Sequence, residues 1–173
     1  MEIEKIILEI KDHHNSFIDY ISDLPEKEFL RQKNNKWSAG EQLNHIYLSV
    51  KPVSLVLSSP KFIMKGVLGK SKKKSLTYDE LVVKYQTSLN NGAKATKKYI
   101  PKLPDFNQKE KIISALHKEI RIICTKIKKY NEEELDTILL PHPIIGKLTL
   151  RELLYFTIYH VQHHLKSLQQ DLQ

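Results

Sequence analysis

Leu148-Thr149-Leu150-Arg151-Glu152-Leu153-Leu154 opens a run that continues through Ile158 to His160-Val161-Gln162-His163-His164-Leu165 and Leu168, and its periodicity decides the fold. Apolar residues recur at three- and four-residue intervals, which places Leu150, Leu153, Leu154, Ile158, Val161, Leu165 and Leu168 on one stripe of an amphipathic helix. Thr149-x-x-Glu152 reads as a capping box, stapled by Leu148 and Leu153, in which hydroxyl and carboxylate satisfy backbone donors that a helix start leaves unpaired. At about 100° per residue, His164 falls about 60° from the stripe centre and His160 about 100°, on the same flank. His163, at about 160°, is expected to face solvent. Two imidazoles four residues apart project from one helix face and can share a metal ion.

Working outward, the same period fills most of the chain. Ile3, Ile6, Ile7, Ile10, His14, Phe17, Ile18 and Ile21 predict a first helix over about residues 2–22, ending at Asp23-Leu24-Pro25. Ser38-x-x-Glu41 caps a second helix with Leu43, Ile46, Val50, Val53 and Leu57 inward and Pro52 inside it, where a bend is expected. Thr77-x-x-Glu80, stapled by Leu76 and Leu81, predicts a helix from Tyr78 to about Tyr99, with Asn91-Gly92 a weak point. Ile112, Ile113, Leu116, Ile120, Ile123 and Ile127 mark another over about 107–130. No alternating run demands a sheet, and Ile138-Leu139-Leu140 is short enough and close enough to proline to predict only a turn. The expectation is an all-α, four-helix bundle with an accessory helix at about 78–99, in one domain spanning residues 1–173.

Size and composition narrow the classes. A chain of 173 residues buries a core without staples, so a metal here is expected to be functional rather than structural. Cys124 is the single cysteine and no leader pattern opens the sequence, which predicts a reduced, cytoplasmic setting. Charged residues interrupt every apolar run, so no membrane span is expected. The net charge of +8 invites a nucleic-acid reading, but the excess concentrates between Lys61 and Lys74, with six lysines, two glycines and no acidic residue. A solvated loop accounts for such a run, and lysines without arginine or interleaved aromatics give only weak, salt-sensitive attraction to polyanions. Polyanion binding there stands as a third functional reading.

The third imidazole is offered by His45, about 110° from the centre of its own stripe. Three boundary imidazoles on facing helices suit divalent zinc, nickel or iron. The ordinary alternative is a set of boundary histidines bonded to their neighbours. His14 reads as a hydrogen-bonded core histidine, His13 and His117 as surface or boundary residues, and His142, between Pro141 and Pro143, as part of a rigid turn beside the pocket. Glu41 has its cap as first duty; if the helix end opens into the pocket, its carboxylate can orient His45 or take a proton. Val161 stands where a zinc peptidase needs glutamate, and no histidine follows a glutamate by three residues, which disfavours peptidase and di-iron chemistry. Cys124 continues an apolar face and is expected to pack rather than react.

Trp37-Ser38-x-x-Glu41-x-Leu43-x-His45 and Gly146-x-Leu148-Thr149-Leu150-x-Glu152-x5-Ile158-x-His160-x3-His164 together resemble the DinB-like superfamily of metal-binding four-helix proteins, in order along the whole chain. The resemblance implies a divalent metal on His45, His160 and His164, zinc or nickel first and iron or manganese after them. It also implies an up-up-down-down bundle and a homodimer. The activity it implies is that of a metal-dependent hydrolase or a thiol-dependent transferase acting on a small molecule, with a low-molecular-weight thiol as a candidate cofactor. A noncatalytic bundle that binds metal or a small molecule is the alternative. The lysine-rich segment and the helix between residues 60 and 100 depart from the simplest family pattern, so no substrate carries over.

Overall fold

The computed structural model describes residues 1–33, 36–61 and 69–172. Its elements are α1 (Ile3–Ser22), α2 (Glu26–Leu30), α3 (Ala39–Ser58), α4 (Tyr78–Asn90), α5 (Lys109–Ile127), α6 (Glu132–Thr137), a hairpin of β1 (Leu139–His142) and β2 (Gly146–Thr149), and α7 (Leu150–Leu172). Single 3-10 turns at Lys97–Tyr99 and Phe106–Gln108 lead from α4 into α5. All three anticipated capping boxes form, on Ser38 and Glu41, Thr77 and Glu80, and Thr149 and Glu152. The second oxygen of Glu152 accepts from the Leu76 N–H at 2.8 Å, which fastens the approach to α4 onto the start of α7.

The four long helices bury the anticipated stripes in one core that includes Ile10, Phe17, Leu43, Leu116, Ile123 and Leu154. Helices α1 and α3 each pack against both α5 and α7. Their directions follow from paired ends. Lys128 approaches Glu4 while Lys109 donates to the Ser22 and Leu24 carbonyls, so α5 runs against α1. Arg151 reaches the Met1 carbonyl, and Arg31 beyond the far end of α1 reaches the Asp171 carbonyl, so α7 runs with α1. Gln42 meets His164 and His45 meets His160, so α3 runs against α7. The order is therefore up-down-down-up, which corrects the up-up-down-down expectation. The end of the bundle where α3 begins is also where the chain enters α5, shown by Asn44 donating to the Lys102 carbonyl.

Two local expectations change as well, and the short helix α6 is new. Helix α4 stops at Asn90, short of Tyr99, because Gly92 takes φ +87° and its N–H and that of Ala93 bond back to the Leu89 and Ser88 carbonyls. That is a glycine-closed helix end, and it turns the weak point into a terminus. The segment expected as a turn pairs as a hairpin, Leu139 opposite Thr149 and His142 opposite Gly146. Gly146 at φ +81° closes its short loop. Asn131 and Glu134 form a further capping box, which starts α6. Of the lysine-rich segment, residues 62–68 lie outside the described residues. Lys61 pairs with Glu134 at 2.6 Å, and the backbone of Ser71 bonds to the Thr137 carbonyl.

Candidate metal centre

Antiparallel packing of α3 on α7 sets His45 opposite the turn of α7 that carries His160 and His164. All three are buried, at 5%, 5% and 8% exposure. Each offers a ring nitrogen, and the three atoms lie within 4.8 Å of one another. His45 Nε2 and His160 Nε2 are 3.1 Å apart. A cation with Zn–N bonds of about 2.0–2.1 Å in tetrahedral geometry holds two ligand nitrogens about 3.3 Å apart, so the pair needs little adjustment to fit one.

The ring partners set which nitrogen is available. His45 Nδ1 lies 2.7 Å from the Tyr99 carbonyl and must donate to it, which leaves Nε2 as the lone-pair atom of a neutral ring. His164 Nδ1 donates likewise to Gln42 Oε1 at 2.9 Å. Facing lone pairs at hydrogen-bond distance repel unless a proton or a cation lies between them. Burial lowers the pKa of all three histidines, His160 and His164 well below the ordinary value, and neighbouring imidazoles push the same way. Neutral rings, the form that ligates, are therefore present at neutral pH.

A cavity of about 380 Å³ opens from this cluster. Val53, Val56, Leu89, Leu153 and Phe156 give it apolar walls, and Ser49, Thr96, His142 and His163 are among its polar groups. The Phe156 ring stacks on His160 at 4.8 Å, and Trp37 lies 4.7 Å from His45 and parallel to His164. These rings keep bulk water from the histidines.

The structure thus brings His45, His160 and His164 together. Glu41 is placed differently: its Oε2 accepts from the Ser38 N–H and from Gln32 Nε2, both at 2.8 Å, and it is not among the cavity-lining residues. Its neighbour Gln42 orients His164 instead. A polar residue three positions before His45 shares that histidine's face, and this was the signal available for Gln42. The Tyr99 carbonyl carried none, because any residue provides one. His163 corrects the solvent-facing expectation, since α4 covers that flank of α7 and leaves the ring half-buried beside Tyr85 and Tyr159, on the cavity wall. His14 is a core residue, as anticipated, and does not line the cavity; Cys124 packs in the core.

The profile that describes the DinB superfamily matches residues 9–168, and the chain belongs to that superfamily. No curated protein and no solved structure matches it.

Proposed function

We propose that this DinB-superfamily chain holds one divalent cation, zinc or nickel before iron or manganese, on His45, His160 and His164 and acts with it on a small, largely apolar molecule. The observation that carries the reading is the convergence of three buried, neutral imidazoles at one wall of an apolar cavity. A cation held there supplies Lewis acidity for polarising an oxygen or for favouring the ionised form of a thiol. The Tyr99 carbonyl and Gln42 fix two of the rings, while Trp37 and Phe156 exclude water around them.

Between hydrolysis and thiol transfer, the cavity favours transfer. Its described lining contains no carboxylate to serve as a general base for water. A thiol, with an ordinary pKa of about 8.5, makes a smaller demand on the residues present. Where a proton must move, His163 is the titratable ring on the wall beside the cluster, and we assign no such role to Glu41. The reading carries with it a small-molecule ligand, a cytoplasmic setting and a homodimer, the last resting on the family resemblance. No helix among the described residues is long and apolar enough to cross a membrane.

Metal analysis of tag-free protein prepared with zinc or nickel in excess tests the reading. One equivalent per chain is expected, with loss of at least about tenfold in affinity in His160→Ala. Substoichiometric metal, or unchanged binding in that variant, overturns it.

A further inference from the structure

The hairpin before α7 carries a further imidazole to the cavity, one that the three-histidine centre does not use. His142 ends β1, with Pro141 and Pro143 on either side of it, and all three residues line the cavity. Its Nδ1 lies 3.2 Å from the Ile144 N and 3.3 Å from the Ile145 N. Both backbone groups are donors, so Nδ1 must accept, and the single proton of the neutral ring resides on Nε2. Burial, and after it the Lys84 ammonium of α4, lowers the pKa of His142 to about 4, which keeps the ring neutral. His142 is therefore a donor of fixed tautomer. Its ring packs edge-on against Phe156 at 4.2 Å, and Phe156 in turn stacks on His160, so one aromatic ring separates the donor from the histidine cluster.

A donor placed across an apolar wall from a cation site specifies a ligand with two ends. None of the described lining residues is acidic, so an anionic end meets no like charge. Lys84 is solvent-exposed and contributes a positive field at the His142 side. We propose that the cavity takes a molecule with an apolar body and a terminal carboxylate, the carboxylate accepting the His142 Nε2 hydrogen in the field of Lys84 and the other end facing His45, His160 and His164. The inference rests on the metal-centre reading and adds the substrate class.

Two hydroxamates of equal length test it on the zinc-loaded full chain: hexanohydroxamate and the monohydroxamate of adipic acid, which share a metal-seeking head and differ by a tail carboxylate. Calorimetry should show the adipic probe binding about tenfold more tightly, the worth of a charge-assisted hydrogen bond. His142→Asn keeps a side-chain acceptor for the Ile144 and Ile145 N–H groups, while its amide NH2, near the place of the ring's Cδ2, stops short of where Nε2 donates. It should abolish the advantage, the adipic probe losing about tenfold more affinity than hexanohydroxamate does, with one zinc per chain retained. Lys84→Gln should reduce the advantage by about two- to threefold and flatten its salt dependence. Equal affinity of the two probes for the native chain, or equal loss of both in His142→Asn, overturns the inference and leaves the metal centre standing. A chain that takes up no zinc overturns both.

Discussion

His14 is sealed in the core with only one ring nitrogen satisfied. Its Nδ1 donates to the Ile10 carbonyl at 2.7 Å, and its Nε2 is buried without a partner. Burial drives its pKa from 6.5 down to about 4, against the opposing bond to Ile10 and with a smaller push from His13. Above pH 6.5 both folded and unfolded chains carry the neutral ring, so the full stability is present. As pH falls from 6.5 toward 4 the unfolded chain takes up a proton that the folded chain refuses, and stability declines until the folded pKa is passed. The decline is worth on the order of 3 kcal/mol at 1.36 kcal/mol per pKa unit. Urea titrations at pH 7 and pH 4 should show His14→Leu losing less stability than the native chain by about that amount; an equal loss would refute the assignment. The core position of His14 was readable from its place on the apolar face of α1. The pairing of His160 and His164 was readable too, because spacing on a helix fixes a face, and His45 joins them in the structure. The partners that orient His45 and His164 were not, since one is a backbone carbonyl of Tyr99 and the other is Gln42, next to the residue whose charge drew notice.

Helix α3 can start where it does because Gly40 has no side chain. A Cβ there would stand 2.7 Å from the edge of the Phe29 ring, which is fully buried and packs edge-on against Phe106. Lys109, itself lying over both rings while its ammonium binds the Ser22 and Leu24 carbonyls, closes the remaining side. Gly40→Ala should therefore lower stability by about 1–2 kcal/mol, the cost of overpacking less the small helical gain of alanine. Phe29→Leu in the same chain should recover part of it. A double-mutant cycle in urea checks this, and strict additivity would show that the two residues do not collide. Element boundaries were legible where their chemistry is local, as with Ser38 and Glu41 or Thr149 and Glu152, whose partners lie three residues apart. The hairpin was not, because β1 and β2 are only four residues each and owe their place to contacts with the bundle and with the Gly69-Lys70 backbone. The end of α4 was half legible: Asn91-Gly92 marked it, but helical composition beyond it suggested continuation to Tyr99.

At the scale of the whole molecule the sequence pattern is silent on helix direction, because a stripe of period 3.6 reads the same in either sense. Contacts between distant ends decide it, and Arg151 gathers several of them. Its Nε and Nη2 hold the two oxygens of Asp136 at 2.6 and 3.0 Å, Nη2 also reaches Glu132 Oε2 at 2.6 Å, and Nη1 donates to the Met1 carbonyl at 2.6 Å. One buried guanidinium thus binds α6 and the start of α1 to the first turn of α7. Burial works to raise the pKa of Asp136 and Glu132, but hydrogen bonds from Arg151 to both, from the Ile3 N–H to Glu132 and from Ser75 to Asp136, together with the guanidinium charge, outweigh it and hold both below the ordinary carboxylate range. Their contribution is present above the unfolded carboxyl pKa and is lost as pH falls through the folded values. Both carboxylates are partly exposed and can be resolvated, so Arg151→Met should cost about 2 kcal/mol rather than the larger penalty of breaking a fully buried pair. At neutral pH this is a fall of roughly 4–8 °C in Tm for a chain of this size. The gap between variant and native chain should begin to narrow below about pH 4, where the unfolded carboxylates protonate, and go on narrowing as pH falls through the lower folded values. His160 lies nine residues further along α7, about 14 Å away, so the folded variant should still bind one equivalent of metal. A Tm within 1 °C of native (about 0.5 kcal/mol or less) would show that the network merely decorates the end of the bundle.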